Sequence, residues 1–355
     1  VARRIRRTSG PLDLRSQAIL RAVIEEYIAS ATPVGSQTLV ERYHLGVSSA
    51  TVRNILAELE LAGLLTHPHT SAGRIPTDTG YRWYVSAIVD SVPLPPVEQL
   101  MIRHQFGQVE DASEHWFRLA ASTLASVTRA AGIATPAKAH SAKVRRVDLV
   151  ALQDRLASLI VVMREGTIKQ VLCNLDEAVS PERLAAVAGR LDDLLADRTA
   201  VGIDRALSAI DPADPDAPLL LILGERVGRI MREYDGAAVE QLFSDGLLNV
   251  MEEPEFAEGD KLRRVFTALE NRVYLTDLLS RVAAGPGQVQ VFIGHENPPE
   301  EMAEVSLVLA PYGRPGRAVG VVGVLGPTRL AYPHAIGTVR FVSGLMNELV
   351  EHLYA

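Results

Sequence analysis

Through residues 11–90 the apolar positions recur at three-and-four spacing in several stretches, each interrupted by Pro, Gly or Ser. Asp13 stands at an N-cap position ahead of Leu20, Val23, Ile24 and Tyr27, which predicts a first helix. Pro33 in "ATPVGS" (31–36) pushes Thr32 out of helical geometry and ends it. A short second helix is predicted from about Ser36 to Tyr43, with Leu39, Val40 and Tyr43 facing inward. Gly46 suits a left-handed C-terminal position, and Ser48 caps a third helix, "SSATVRNILAELELAGLL" (48–65). Two helices joined by so tight a turn make a helix-turn-helix. "LLTHPHTSAGRIPT" (64–77) then reads as two short strands around a turn containing Pro68, Ser71 and Gly73. Thr77 caps a further helix with Tyr81, Tyr84, Val85 and Ile88 on one face. Three helices followed by a hairpin is the winged-helix pattern, in which the last of the three enters the major groove of DNA and the hairpin touches phosphate or minor groove.

The third helix carries the chemistry of that expectation. Val52, Ile55, Leu56 and Leu59 form its buried face, while Ser49, Ala50, Arg53, Asn54 and Ala57 form the other. A merely solvated face usually carries Lys and Glu pairs; this one is short and polar, so that bases and phosphates can come close. Arginine grips guanine O6 and N7 with two hydrogen bonds, and asparagine does likewise with adenine. Arg53 and Asn54 are therefore the candidate base readers, against a phosphate contact for Arg53 and a plain surface amide for Asn54. Ser49 and Thr51 lie where a positive helix end favours phosphate. Arg74 in the hairpin is a phosphate or minor-groove candidate, with a structural salt bridge as its competitor. His67 and His69 form an HxH pair, but no Cys or further His nearby completes a metal site.

Beyond the winged helix the pattern changes twice. "SVPLPPVEQ" (91–99) is a Pro-rich linker, with 91–96 as its span, and leaves the winged helix free to take more than one orientation. A long helical segment is predicted over roughly 97–131, carrying Trp116, Phe117, Leu119 and Leu124. "VRRVDLVAL", "RLASLIVVM" and "TIKQVLCNL", separated by "QD" and "REG", predict an antiparallel meander. After Ser180 and Pro181, a cap and a first helical residue, come helices over "RLAAVAGRLDDLLA", "IDRALSAI" and "LLLILGERVGRIMREY". From about Gly236 the pattern predicts a strand near 239–243, helices across 260–283, strands near 289–293, 304–310 and 318–325, and a closing helix at 333–353. With the helical segment before Val144, this matches a GAF-like antiparallel sheet packed by helices. The fold class is thus α+β and multidomain: a basic arm at 1–10, a winged helix at 11–90, and a GAF-like domain built from 97–140 and 236–355. An inserted three-stranded sheet with helices interrupts that domain at 141–235.

Composition narrows the function classes. A chain of 355 residues with 47% hydrophobic content holds two or three cores. Net charge is −7, yet residues 1–96 carry ten arginines against eight acids, and four of those arginines (Arg3, Arg4, Arg6, Arg7) form an arm that is either merely solvated or laid on a polyanion. No apolar run approaches the roughly eighteen residues of a membrane span, and the N-terminus lacks a signal-peptide pattern. One cysteine, Cys173, fits a reducing compartment, so a cytoplasmic location is expected. The glycines at 320, 323 and 326 lack the G-x-G-x-x-G spacing of a nucleotide loop and instead permit close packing of a strand. "HENPPEE" (295–301) reads as a surface loop. With no nucleophile–base pairing, no Walker loop and no ligand cluster, the expectation is a non-enzyme without cofactor.

The segment "TPVGSQTLVERYHLGVSSATVRNILAELELAGLLTHPHTSAGRIPTDTGYRWYV", and within it "SSATVRN" and "PHTSAGRIPTDTGYR", closely resembles the N-terminal domain of heat-inducible transcription repressors of the HrcA type. "FSDGLLNVMEEPEF" (243–256) and "VVGVLGPTRLAYPHAI" (321–336) extend the resemblance. It implies a repressor of chaperone genes that binds an inverted-repeat DNA operator as a homodimer and is kept active by a chaperonin. It also implies that 141–235 is a dimerisation domain inserted in a GAF-like one. The competing readings are a metabolite-gated regulator with a ligand in the GAF-like domain and an enzyme with a DNA-binding appendage. A pocket with converging polar groups in 236–355 separates the first of these from a repressor.

Overall fold

Asp13, Ser48 and Thr77 set the starts of three N-terminal helices. The Asp13 carboxylate accepts the Ser16 N–H at 2.7 Å and begins α1 (Leu14–Ser30). α2 (Ser36–Tyr43) starts from Gly35 without a side-chain cap. Ser48 accepts the Thr51 N–H at 3.2 Å and begins α3 (Ser49–Leu61). The turn between α2 and α3 holds two left-handed residues, His44 at the C-cap (φ 46°) and Gly46 (φ 65°). β1 (Leu65–Thr66) and β2 (Ile75–Pro76) pair antiparallel, and Val34 adds one rung against Arg74. Thr77 then accepts the Gly80 N–H at 3.1 Å and begins α4 (Asp78–Ile88). Each such cap stabilises its helix by about 1 kcal/mol. Leu20, Val23, Ile24, Leu39, Val52, Leu56, Leu59, Tyr84 and Val85 are buried between these elements, so the periodicity of the sequence is the geometry of this core.

The computed structural model describes residues 12–354 apart from 69–72, 90–91, 109–112, 138–141, 165, 237–241, 257–260, 262, 264, 266, 268–270, 285–288, 298–299 and 315–317. The basic arm with Arg3, Arg4, Arg6 and Arg7, His69 and Ser71 of the hairpin, and the start of the linker lie outside the described residues.

The helical segment expected over 97–131 is two helices and a strand. α5 (Pro96–Phe106) closes at Gly107, α6 (Ser113–Thr128) follows, and Ala131–Ala134 forms β3. Then come β4 (Val144–Gln153), β5 (Leu156–Met163), β6 (Ile168–Asn174), α7 (Pro181–Leu195), α8 (Ala200–Leu207) and α9 (Ala217–Gly236). The chain ends through β7 (Phe243–Asp245), α10 (Leu247–Met251), α11 (Arg272–Ala284), β8 (Gln290–Ile293), β9 (Val305–Gly313), β10 (Val319–Pro327) and α12 (Tyr332–Tyr354). The strand expected near 239–243 lies in part outside the described residues; β7 begins at its last position, Phe243, and runs to Asp245.

One antiparallel sheet runs in the order β7-β3-β10-β9-β8, and a second in the order β4-β5-β6. β9 and β10 are buried on both faces, which is why they read as unbroken apolar runs without alternation. α6 and α12 cover one face through Leu124, Val339 and Val342; α11 covers the other through Leu278, Leu279 and Val282. At Gly323 an added Cβ would stand 2.3 Å from the Val308 carbonyl oxygen, so a strand this closely packed needs its glycine. The smaller sheet has its own core: Val147, Leu149, Leu159, Val161 and Cys173 face α7 and α9. Ser180 caps α7 and Pro181 is its first residue.

The core of the winged helix is continuous with that under α12. Tyr81 of α4 lies against Tyr332, ring centroids 5.7 Å apart. Tyr332 shares a 2.7 Å hydrogen bond with Ser306 and donates to the Thr328 carbonyl at 2.6 Å. Among the described residues the buried Tyr81 hydroxyl has no partner, and burial pushes its phenol well above the ordinary tyrosine range, so it remains a neutral donor. A buried unsatisfied hydroxyl is destabilising, and Tyr81→Phe removes it with the ring kept. Tyr81→Phe is expected to raise the unfolding free energy in urea by about 1 kcal/mol. A loss of stability would mean that the hydroxyl is satisfied after all.

Candidate nucleic-acid interface

α3 lies across the winged helix with Val52, Leu56 and Leu59 inward, and Arg53, Asn54, Ala57 and Glu58 exposed. Among the described residues neither Arg53 nor Asn54 has a hydrogen-bond or ion-pair partner. The guanidinium is thus presented to solvent with its five donors unspent, beside an amide that both donates and accepts. Ser49 and Thr51 sit at the start of the same helix. The Ser49 hydroxyl lies 2.9 Å from that of Ser36, tying the first turn of α3 to the first turn of α2. The Thr51 hydroxyl lies 3.0 Å from that of Ser48. Two helix N-termini therefore meet at one place, where their free backbone N–H groups and dipoles favour an anion.

Arg74 is placed differently from Arg53. Its backbone pairs with Val34, and its guanidinium Nη2 meets the Glu60 carboxylate at 2.7 Å, while Nε is buried with no partner among the described residues. Glu60 also accepts from His67. One carboxylate at the end of α3 thus gathers cationic or donor groups from both stems of the hairpin. This is the salt bridge that competes with a phosphate contact for Arg74, and it gives His67 a protein partner. Nothing local in the sequence marks Glu60 for this role, since it stands seven residues before His67. Arg74→Ala is expected to lower the stability of the chain by about 1 kcal/mol, through a loosened hairpin. Thermal unfolding measures the loss, and an unchanged Tm with a lower salt dependence of DNA binding would return Arg74 to the phosphate contacts.

A helix-turn-helix with a hairpin behind it and a small, unpaired polar face in front defines a transcription regulator of the winged-helix class. The family model described as "HrcA protein C terminal domain" matches residues 114–336. The chain is 42% identical to the heat-inducible transcription repressor HrcA of Chloroflexus aurantiacus, with 98% of this chain and 96% of that protein covered. It is 41% identical to that of Roseiflexus castenholzii, with 96% and 95% covered. A crystal structure described as that of a hypothetical protein superposes at a TM-score of 0.63 and 21% identity, covering 97% of this chain and all of that one, which shows the fold alone. The chain belongs to the HrcA family of heat-inducible transcription repressors, a family of regulators and not of enzymes. Among the described residues no helix is long and apolar enough to cross a membrane.

Proposed function

We propose that this chain represses chaperone genes in the cytoplasm by binding an inverted-repeat DNA operator as a homodimer, and that a chaperonin keeps it active. The observation that carries the DNA reading is the exposed, partnerless pair Arg53 and Asn54 on α3, flanked by the Ser49 and Thr51 end of the helix. The chaperonin rests on the family resemblance. We read the five-stranded sheet and its helices as the GAF-like domain and 141–235 as its insertion, which is supported by the separate core of β4–α9 lying in sequence between the neighbouring strands β3 and β7.

The dimer reading has its own support, which points to the three-stranded sheet as the contact. α7 and α9 spend most of their apolar residues on the inner face of β4-β5-β6. The outer face of that sheet carries Val150, Ile168 and Leu172, which are exposed, with Ile160 and Val162 half-buried among them, and no element of the described residues covers Ile168 or Leu172. Ile168 is 65% exposed and Leu172 61%, a patch of the kind that marks an association surface. Arg146 and Asp148 stand at 3.6 Å on the same face, so it carries both signs of charge and suits a two-fold contact with its own copy.

A ligand inside the GAF-like sheet finds little support, since both sheet faces are filled by packed side chains. A cavity of about 310 Å³ lies outside the sheet, where Pro93 and Leu94 of the linker meet Arg103, Phe341 and Leu345. The deciding experiment titrates the protein onto a candidate inverted repeat and onto scrambled DNA, with and without chaperonin. Preference for the repeat supports the reading; equal affinity for both sinks it. A chaperonin that raises the active fraction at constant Kd acts by rescuing chains, and one that lowers Kd shifts a population.

A further inference from the structure

Gly294 and the two residues after it, His295 and Glu296, which open the expected surface loop 295–301, meet the first two turns of α4. The His295 N–H donates to the Asp78 carboxylate at 3.0 Å, and its ring Nδ1 lies 2.8 Å from the same oxygen. One helical turn on, Arg82 donates through Nε to Glu296 at 2.7 Å, through Nη2 to the second Glu296 oxygen, and to the Val291 carbonyl at 2.5 Å. Glu296 is itself held, because it accepts the Ile293 N–H at 2.9 Å. Gly294 is left-handed (φ 50°), and an added Cβ would stand 2.5 Å from both Asp78 carboxylate oxygens. Only glycine allows the loop so close to the helix start. A second grip holds the end of the DNA-binding unit: Arg340 donates to the carbonyls of Val89 and Val92, the latter at 3.1 Å.

We propose that the Gly294–Glu296 loop is a clamp that positions the winged helix, with Arg82 and Asp78 as positioning residues for recognition of a two-part DNA site. The proposal rests on the reading of α3 as the DNA-facing helix. The clamp holds α4, and among the described residues none of the five-stranded domain is bonded to Arg53 or Asn54, so docking leaves the reading face open. Its effect is therefore orientation and not occlusion. Two copies of α3 must meet two half-sites at once, and a linked pair gains from the second contact only when both domains are already aimed. The bidentate pair suits the task, since a planar guanidinium on a carboxylate fixes direction as well as distance.

The test compares the full chain with its Arg82→Ala, Arg82→Lys and Glu296→Gln variants. Hydrogen exchange is expected to rise together in 78–88 and 290–297 of Arg82→Ala, with the buried parts of α1 and α3 still protected. That pattern separates release of the clamp from failure to fold. Affinity for an inverted repeat is expected to fall by about tenfold or more, while affinity for a single half-site is unchanged. Arg82→Lys, which keeps the charge and loses the fork, falls between, and Glu296→Gln weakens binding of the repeat in the same sense. An unchanged or raised affinity for the repeat overturns the proposal, as does an equal loss on the half-site. If the wild-type chain shows no preference for the repeat, the DNA reading fails and takes the positioning role with it, and the exchange result then reports docking alone.

Discussion

Leu172→Asp combined with Ile168→Asp yields a folded monomer whose affinity for an inverted repeat is lower by at least about a hundredfold. Both side chains are already mostly in water in the single chain, so the charges cost its stability little. In a dimer closed through this face, each carboxylate would be taken out of water against Val150, Ile160 or their copies. Burying an unpaired ion costs several kcal/mol, and two-fold symmetry doubles every such cost. Loss of the dimer then removes the second half-site contact, which is worth roughly a hundredfold to ten-thousandfold in a linked pair. Sedimentation gives the oligomeric state, hydrogen exchange in β5 gives the integrity of the sheet, and titration gives the affinity. A double variant that remains a tight dimer with undiminished affinity places the interface somewhere else on the chain.

The elements that local chemistry dictates were legible. The caps at Asp13, Ser48, Thr77 and Ser180 hold the helices that follow them, and the alternation in "VRRVDLVAL" and "TIKQVLCNL" marks two strands of the meander. What the sequence hid is set by partners far along the chain. β3 is the four residues Ala131–Ala134, all buried, with no polar alternation to betray a strand; its pairing with Val322–Leu325 lies nearly two hundred residues away. The role of His295 and Glu296 is invisible for the same reason, because their partners Asp78 and Arg82 come from another domain. The outward apolar residues of β6 alternate as any half-buried strand does, and only the position of α7 and α9 shows which face stays open. At the proposed DNA face, the helix α3 and its exposed residues were legible from period and composition. For Arg74 a salt bridge was one of the two alternatives, but nothing local shows that Glu60 is its partner.

Arg53→Ala is expected to cost about 1–3 kcal/mol of affinity for the inverted repeat and to relax preference at one base pair of each half-site. Arg53 is on the second turn of α3, one residue after the buried Val52, and therefore points away from the core. Among the described residues no carboxylate neutralises it, whereas Arg74, Arg82 and Arg42 are paired to Glu60, Glu296 and Glu26. An arginine left unpaired on a helix whose neighbours are Ala50, Asn54 and Ala57 has room for a base edge to approach. The substitution leaves the fold untouched, because an exposed, unpartnered side chain contributes little to stability. Random DNA supplies the control. A bidentate contact to guanine is lost only on the operator, so the ratio of operator to random affinity falls while the salt dependence changes little. A phosphate contact is lost on every sequence, and the slope of log K against log salt drops by about one. Equal losses on operator and random DNA would therefore take Arg53 out of base reading and leave Asn54 as the candidate on that face.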